Sequence, residues 1–331
     1  MTSDVYRRAL LAALAGAAGA LASGRFARGN EPAFPSRTVR IVVPYSVGVG
    51  PDVVARSVGE RLALRWGQPV IVDNKPGASG IVAFGEVRQA PADGHTLFLA
   101  DTATLVVNPL LHASLPYDPV RDLVPLTLLF RATFVLWVGG RSRFRSIAAL
   151  LDAARRAPEG VSYASLGNGH ASHLAIETLA RAAGVRMLHV PFRDAGGLLS
   201  AVAAGDVDFT AMSVNTVAGL MASGRLRALA VAAKTRLPDH PEIPTLAEAG
   251  APAVEMHPWA AMVAPAGTPA ATVTRLQRDI VAALETPEVR SRADQAGFEI
   301  TPSTPDALRQ RMASDHALYA PLISEGRIVP S

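Results

Sequence analysis

From Val39 onward, short apolar runs bounded by glycine and proline alternate with single helical segments. Val39-Arg-Ile-Val-Val-Pro44 reads as a buried strand, followed by a glycine-containing loop and the helical pattern Val53–Leu62. Pro69–Asp73 is a second strand, Asn74–Gly80 a turn-rich stretch, Ile81–Gln89 a helix and Thr96–Ala100 a third strand. Apolar strands separated by single helices predict a mainly parallel sheet with helices on both faces.

The pattern pauses at Pro116-Tyr-Asp-Pro119 and resumes with Leu123–Phe130 and Phe134–Val138, which reads as a path between two domains. Ile147–Ala157 is helical, opened by Ser146 and stopped by Pro158. Val161–Ala164, helix Ser172–Ala183, Met187–Val190, helix Gly197–Ala204, Val207–Thr210 and Leu226–Ala232 then repeat the alternation as a second α/β unit. Trp259–Ala264 reads as a return strand, followed by helices at Ala271–Leu284, Pro287–Gln295 and Pro305–Leu322. The last carries Thr304 as cap, Pro305 at its first position and Asp306 in its first turn. These helices need a sheet to cover. The expected division is residues 36–131 and 254–331 as domain 1, with residues 132–253 inserted as domain 2.

Ahead of this pattern, a basic start ending in Arg7-Arg8 runs into the uncharged stretch Ala9–Ala22. Residues 1–29 read as a signal peptide, with cleavage after Ala22 or nearer Gly29 and the export route left open. As a helix the apolar stretch reaches only about 21 Å, short of a roughly 30 Å hydrocarbon core. The expected location is therefore the periplasm, without a mature membrane span. The net charge of +4 belongs largely to this leader, because residues 1–29 hold four arginines against one aspartate. The remainder is near neutral and gives no reason to invoke nucleic acid. The absence of cysteine excludes disulfides, iron–sulfur ligation and thiol catalysis.

Ligands on open parallel sheets bind beside the carboxyl ends of strands, which directs attention to three loops. Pro44-Tyr-Ser-Val-Gly-Val-Gly-Pro-Asp52 contains Tyr45, Ser46 and Gly48, and its amides can converge on an anion or simply form a tight turn. It matches neither a Walker A loop nor GxGxxG. Ser165-Leu-Gly-Asn-Gly-His-Ala-Ser-His173 offers Ser165, Gly167, Asn168 and Gly169, with His170 and His173 beside them. Such a loop holds a carboxylate through amides and uncharged side chains; the bland alternative is a capped helix start with packing histidines. Asp101, Thr102 and Thr104 follow the third strand and either complete a cleft or cap the next turn. No nucleophile–base–orienter set and no metal-ligand spacing such as HExxH stands out, so neither catalytic nor metal-binding residues are assigned and no cofactor is expected.

At these loops the chain resembles the tripartite tricarboxylate transporter receptor family, the Bug extracytoplasmic solute-binding proteins. The pieces that carry the resemblance are Val39–Tyr45, Gly67–Gly80, Ala90–Leu97, Leu115–Leu123, Ser165–Gly169, Gly224–Ala230, Pro244–Gly250 and Ala264–Pro269, in this order along the chain. The resemblance implies a bilobed type II periplasmic-binding-protein fold, α/β, with two mainly parallel sheets flanked by helices and an interdomain cleft that closes over a small carboxylate. Of the family's first loop, Pro44, Tyr45, Gly48 and Asp52 match, while Val49 stands where a second glycine is common. Ser165, Gly167, Asn168, Gly169 and His173 match its second loop. Where the family often has an Asp after the Gly205–Phe209 segment this chain has Met212, a core or hinge residue, and Ser213 and Asn215 are the polar groups nearby.

What the resemblance implies is a monomeric extracytoplasmic solute-binding protein, not an enzyme, that captures a small organic acid for a membrane transporter. A ligand-sensing receptor acting with a sensor protein, and a secreted hydrolase, are the alternatives.

Overall fold

The computed structural model describes residues 34–329, so the leader reading at residues 1–29 lies outside the described residues. The described residues from Arg37 onward form one compact unit built on two β-sheets. Strands β1 (Val39–Val43), β2 (Val70–Asn74), β3 (Thr96–Asp101), β4 (Leu123–Arg131), β10 (Trp259–Pro265) and β11 (Glu299–Ile300) form a six-stranded sheet in the order β11-β4-β10-β3-β1-β2. Strands β5 (Val135–Gly139), β6 (Ser162–Ser165), β7 (Leu188–Pro191), β8 (Phe209–Met212) and β9 (Leu226–Val231) form a five-stranded sheet in the order β7-β6-β8-β5-β9.

Both sheets are mixed, where the strand–helix alternation predicts mainly parallel ones. β1 runs parallel to β2 and β3, and β6 parallel to β7 and β8, but β10 is antiparallel to β3 and β4, and β5 to β8 and β9. The reason is the double crossing of the chain between sheets. A strand that enters a sheet directly from the other sheet, without a helical crossover, is free to run against its neighbours. The two crossings lie side by side: Ala132 N–H donates to Pro258 O at 2.8 Å and Phe134 N–H to Met256 O at 3.2 Å.

Local chemistry sets the helices. Helix Gly50–Trp66 has proline in its first turn and Asp52 beside it, and ends at Gly67 with φ 64°. Helix Ile147–Arg156 is opened by Ser146, whose oxygen accepts from Ala149 N–H, and carries Arg155 and Arg156 in its last turn. Helix Ala171–Ala182 is buried continuously from Ser172 to Ala180, because β6 and β8 pack on it from one side and helix Pro305–Ser324 from another. The end of that last helix and the chain beyond it stay docked: Leu322 and Ile328 bury themselves with Val107, Leu111 and Leu174. All seven residues of β10 are buried, matching its place inside the six-stranded sheet. The sequence pattern misses helix Val214–Ala222 and the two-residue strand β11, both too short or too weakly periodic to stand out.

Candidate functional site

The carboxyl ends of β1, β2 and β3 in one sheet, and of β6 and β8 in the other, open onto one cavity of about 570 Å³. Its volume falls within the range of small-molecule sites. The antiparallel strands serve the same edge, since the start of β10 pairs with the end of β3 through Ala260 and Asp101. Of the residues singled out from sequence, Tyr45, Asp101, Thr102, Asn168, Gly169, His170 and Ser213 line this cavity, whereas Ser46, Gly48, Thr104, Ser165, Gly167 and His173 do not.

On the six-stranded side, the Tyr45 hydroxyl donates to Asp101 Oδ2, and Asp101 Oδ1 accepts from Thr104 N–H and Oγ1–H, both at 2.8 Å. Burial, reinforced by the Asp101 charge and hydrogen bond, pushes the Tyr45 phenol well above its ordinary range and keeps it a donor. Asp101 thus caps its own turn and also faces the cavity. Thr102 Oγ1 donates to Trp259 O and accepts from Trp259 N–H, each at 3.3 Å, tying β3 to β10.

The first loop is organised from within. Gly48 N–H donates to Asp52 Oδ2 at 2.8 Å, so that amide serves the turn. Arg56 Nε–H also donates to this oxygen at 3.0 Å, and Asn74 Nδ2–H to Oδ1 at 2.7 Å. Burial works against ionisation of Asp52, but these donors outweigh it and hold the carboxyl below its usual value. A turn that sequence reasoning passed over completes this wall. Ala78 and Ser79 both adopt left-handed backbone, φ 45° and 50°, uncommon for residues with a Cβ, and both line the cavity. Ser79 O accepts from Asn108 Nδ2–H at 2.9 Å. Gly80 is required here, because a Cβ would come within 2.5 Å of Thr104 Oγ1. The string Pro76-Gly-Ala-Ser-Gly80 after a strand end was the available signal.

On the five-stranded side, Ser165 is fully buried and supports the loop from beneath. Its Oγ accepts from Gly167 N–H at 3.2 Å and lies 2.6 Å from His189 Nε2. His173 is buried too, and its Nδ1 accepts from Gly169 N–H at 3.1 Å. Its ring stacks on His189 with centroids 3.8 Å apart. Burial first, then the neighbouring His189 and His170, push the His173 imidazole down to about 3.

His170, rather than Ser172, caps the helix: its Nδ1 accepts from Ser172 N–H at 3.2 Å and lies 3.0 Å from Ser172 Oγ. An Nδ1 that accepts must carry its ring proton on Nε2 in the neutral form. Burial lowers the pKa of this histidine against the opposing pull of Asp101. His170 is therefore a neutral Nε2–H donor at the cavity wall. Asn168 also lines the cavity, and its Nδ2–H donates to Val329 O at 2.8 Å. Ser213 Oγ is 2.8 Å from Thr216 Oγ1, and Met212 lies beside them in the lining.

Phe130, Phe134, Trp259 and Phe298 line the cavity without having been singled out from sequence. They come from the crossings between sheets, the start of β10 and the approach to β11, and only tertiary folding assembles them. No lysine or arginine lines the cavity among the described residues. Ser165 and His189 form a serine–histidine contact, yet Ser165 is closed off from the cavity and meets no substrate there. Among the described residues no group of three or more His, Cys, Asp or Glu can hold a metal. The arrangement can accept an anion through neutral donors.

Comparison with known proteins agrees with this architecture. The family model described as tripartite tricarboxylate transporter family receptor matches residues 54–326. A protein from the tcbD–tcbE intergenic region of Pseudomonas sp. strain P51 is 38% identical over 316 residues, spanning 95% of this chain and 94% of the relative. The solved structure of R. palustris Rpa4515 with adipate superposes with a TM-score of 0.78 at 30% identity, covering 90% of this chain and 100% of that one. MatC from Rhodopseudomonas palustris with bound malate gives 0.73 at 29% identity, covering 87% and 99%.

Proposed function

Because the chain belongs to the tripartite tricarboxylate transporter receptor family, we propose that it works in the periplasm as a monomeric solute-binding protein, capturing a small organic carboxylate and handing it to the membrane components of such a transporter. The observation that carries this reading is the cavity between two sheets, which presents the neutral His170 donor at the start of helix Ala171–Ala182 and has no lysine or arginine among its described lining residues. Homologues bearing adipate and malate support the ligand class. The two lobes are read as residues 36–131 with 254–331, and residues 132–253, moving about the paired crossings near Ala132 and Pro258.

Asn168, Gly169 and His170 then present the carboxylate-binding edge of one lobe, with Tyr45, Asp101 and Thr102 facing them. Ser165, Gly167, His173 and Thr104 act by shaping these loops, and Ser213 contributes from the end of β8. Affinity in the micromolar range requires about 8 kcal/mol, within reach of a few aligned hydrogen bonds and apolar contact on closure. Isothermal titration with mono-, di- and tricarboxylates, followed by mass analysis of the recovered ligand, tests this. Saturable binding of an unchanged acid is expected, and sustained conversion of the ligand by purified protein would overturn it.

A further inference from the structure

The polar side chains around the cavity are for the most part already partnered inside the protein. Tyr45 OH is spent on Asp101, Asn108 Nδ2 on Ser79 O and Tyr117 OH, and Thr102 Oγ1 on the Trp259 backbone. Trp259 Nε1–H is directed to Asp315 Oδ2 at 2.6 Å, leaving its ring as the surface offered to a ligand. Ser213 and Thr216 share one hydrogen bond between their hydroxyls. What remains for an anion is concentrated at the start of helix Ala171–Ala182, where His170 supplies Nε2–H, and at the Ala78–Ser79 turn.

Much of the remaining wall is apolar. Phe130 and Phe298 stack with centroids 4.2 Å apart, and Phe134, Trp259, Met212 and Leu174 continue the surface. The cavity lining also holds an acid, Asp101, with no lysine or arginine among the described lining residues to offset it. A ligand's first carboxylate has donors to meet. A second, lying along the aromatic side, would meet apolar rings in place of a lysine or arginine and would face the like charge of Asp101.

Resting on the reading that this cleft holds a carboxylate, we infer that it selects a ligand with one carboxylate and an apolar, ring-sized body, and that Asp101 is the residue that turns a second carboxylate away. Aromatic faces favour a flat apolar body through stacked or edge contacts with the ring pair. Asp101 is thus a specificity residue, held in place by Tyr45 and Thr104.

Isothermal titration of the purified protein with phenylacetate, benzoate, adipate, malate and benzyl alcohol tests the inference. An aromatic acid should bind at least about tenfold tighter than either dicarboxylate, with no binding of the uncharged alcohol. Asp101→Asn should then strengthen adipate binding by about threefold or more and narrow the gap, an effect that loss of structure does not mimic. Should that variant not fold, Phe298→Ala takes its place and must weaken the aromatic acid more than adipate. Adipate or malate binding as tightly as both aromatic acids would overturn the inference and leave carboxylate capture standing. Absence of binding by all four acids would instead remove the capture reading itself.

Discussion

The backbone N–H of Gly169 donates to Nδ1 of His173 at 3.1 Å, and this bond exists only while Nδ1 is unprotonated. The cavity loop therefore rests on a histidine that must stay neutral. Its stacking partner His189 is likewise pushed down by burial.

A pH dependence follows. The folded pKa of His173 lies at about 3 against an ordinary 6.5, so between these values the unfolded chain binds the extra proton. The stability contribution is fully present above pH 6.5 and is lost progressively as pH falls toward 3. Thermal melts from pH 7.5 to 4 should show a falling Tm below pH 6.5, with a shallower slope in His173→Gln. Equal slopes in the two proteins would show that His173 does not carry the effect.

Gly169→Ala should weaken ligand binding and the fold together. Gly169 has φ 72°, and a Cβ there would collide with Leu111 Cδ1. The left-handed backbone alone costs about 1–2 kcal/mol for a residue with a Cβ. A chemical denaturation curve and a titration on the same preparation would register both losses; wild-type values in either would contradict the close approach.

Asn168→Ala removes the amide that donates to Val329 O at 2.8 Å and one polar group from the cavity wall. A fall in carboxylate affinity of about 1–3 kcal/mol is expected, with little change in the melting temperature. Unchanged affinity in the folded variant would remove Asn168 from the binding edge.

Asn215, in the first turn of helix Val214–Ala222, reaches the last turn of helix Pro287–Gln295, its Nδ2–H donating to Asp294 O at 2.8 Å. Loss of this contact in Asn215→Ala should speed ligand release by about three- to tenfold while leaving the order of ligand preference intact. Stopped-flow displacement would measure it, and an unaltered release rate would show that the contact plays no part in closure.

Far from the cavity, Asp279 is almost fully buried and accepts from Arg65 Nε–H at 2.9 Å and Trp66 Nε1–H at 2.8 Å, clamping helix Ala270–Leu284 to helix Gly50–Trp66. Asp279→Ala should cost about 2 kcal/mol, less than the ~3–5 of wholly buried pairs because the arginine is half exposed, and leave ligand affinity unchanged. Urea titration would detect it.

The strand and helix pattern was legible in the chain because burial imposes periodicity on neighbours in sequence. β3 and β10 read as apolar runs and β1 as one broken only by Arg40, and Ser146 and Thr304 announce helix starts through their own hydroxyls. The loops after β1, β3 and β6 were also legible, since glycine and small polar residues cluster at strand ends. Strand direction was not legible, because apolar runs look alike whichever way they run.

The roles within those loops were decided by tertiary structure. Composition marks Ser165, Asn168, His170 and His173 alike as polar residues in one loop, yet folding buries Ser165 and His173 as supports and leaves Asn168 and His170 at the cavity. The difference lies in His189, which arrives from β7 to stack on one and contact the other. The aromatic wall is likewise a product of long-range packing: Phe130 and Phe298 lie far apart in the chain and meet only because β11 pairs with β4. The sequence by itself determined which segments form strands and helices and where loops can bind, since those properties depend on near neighbours. Which groups face the ligand depended on contacts between distant segments, and these exist only in the folded chain.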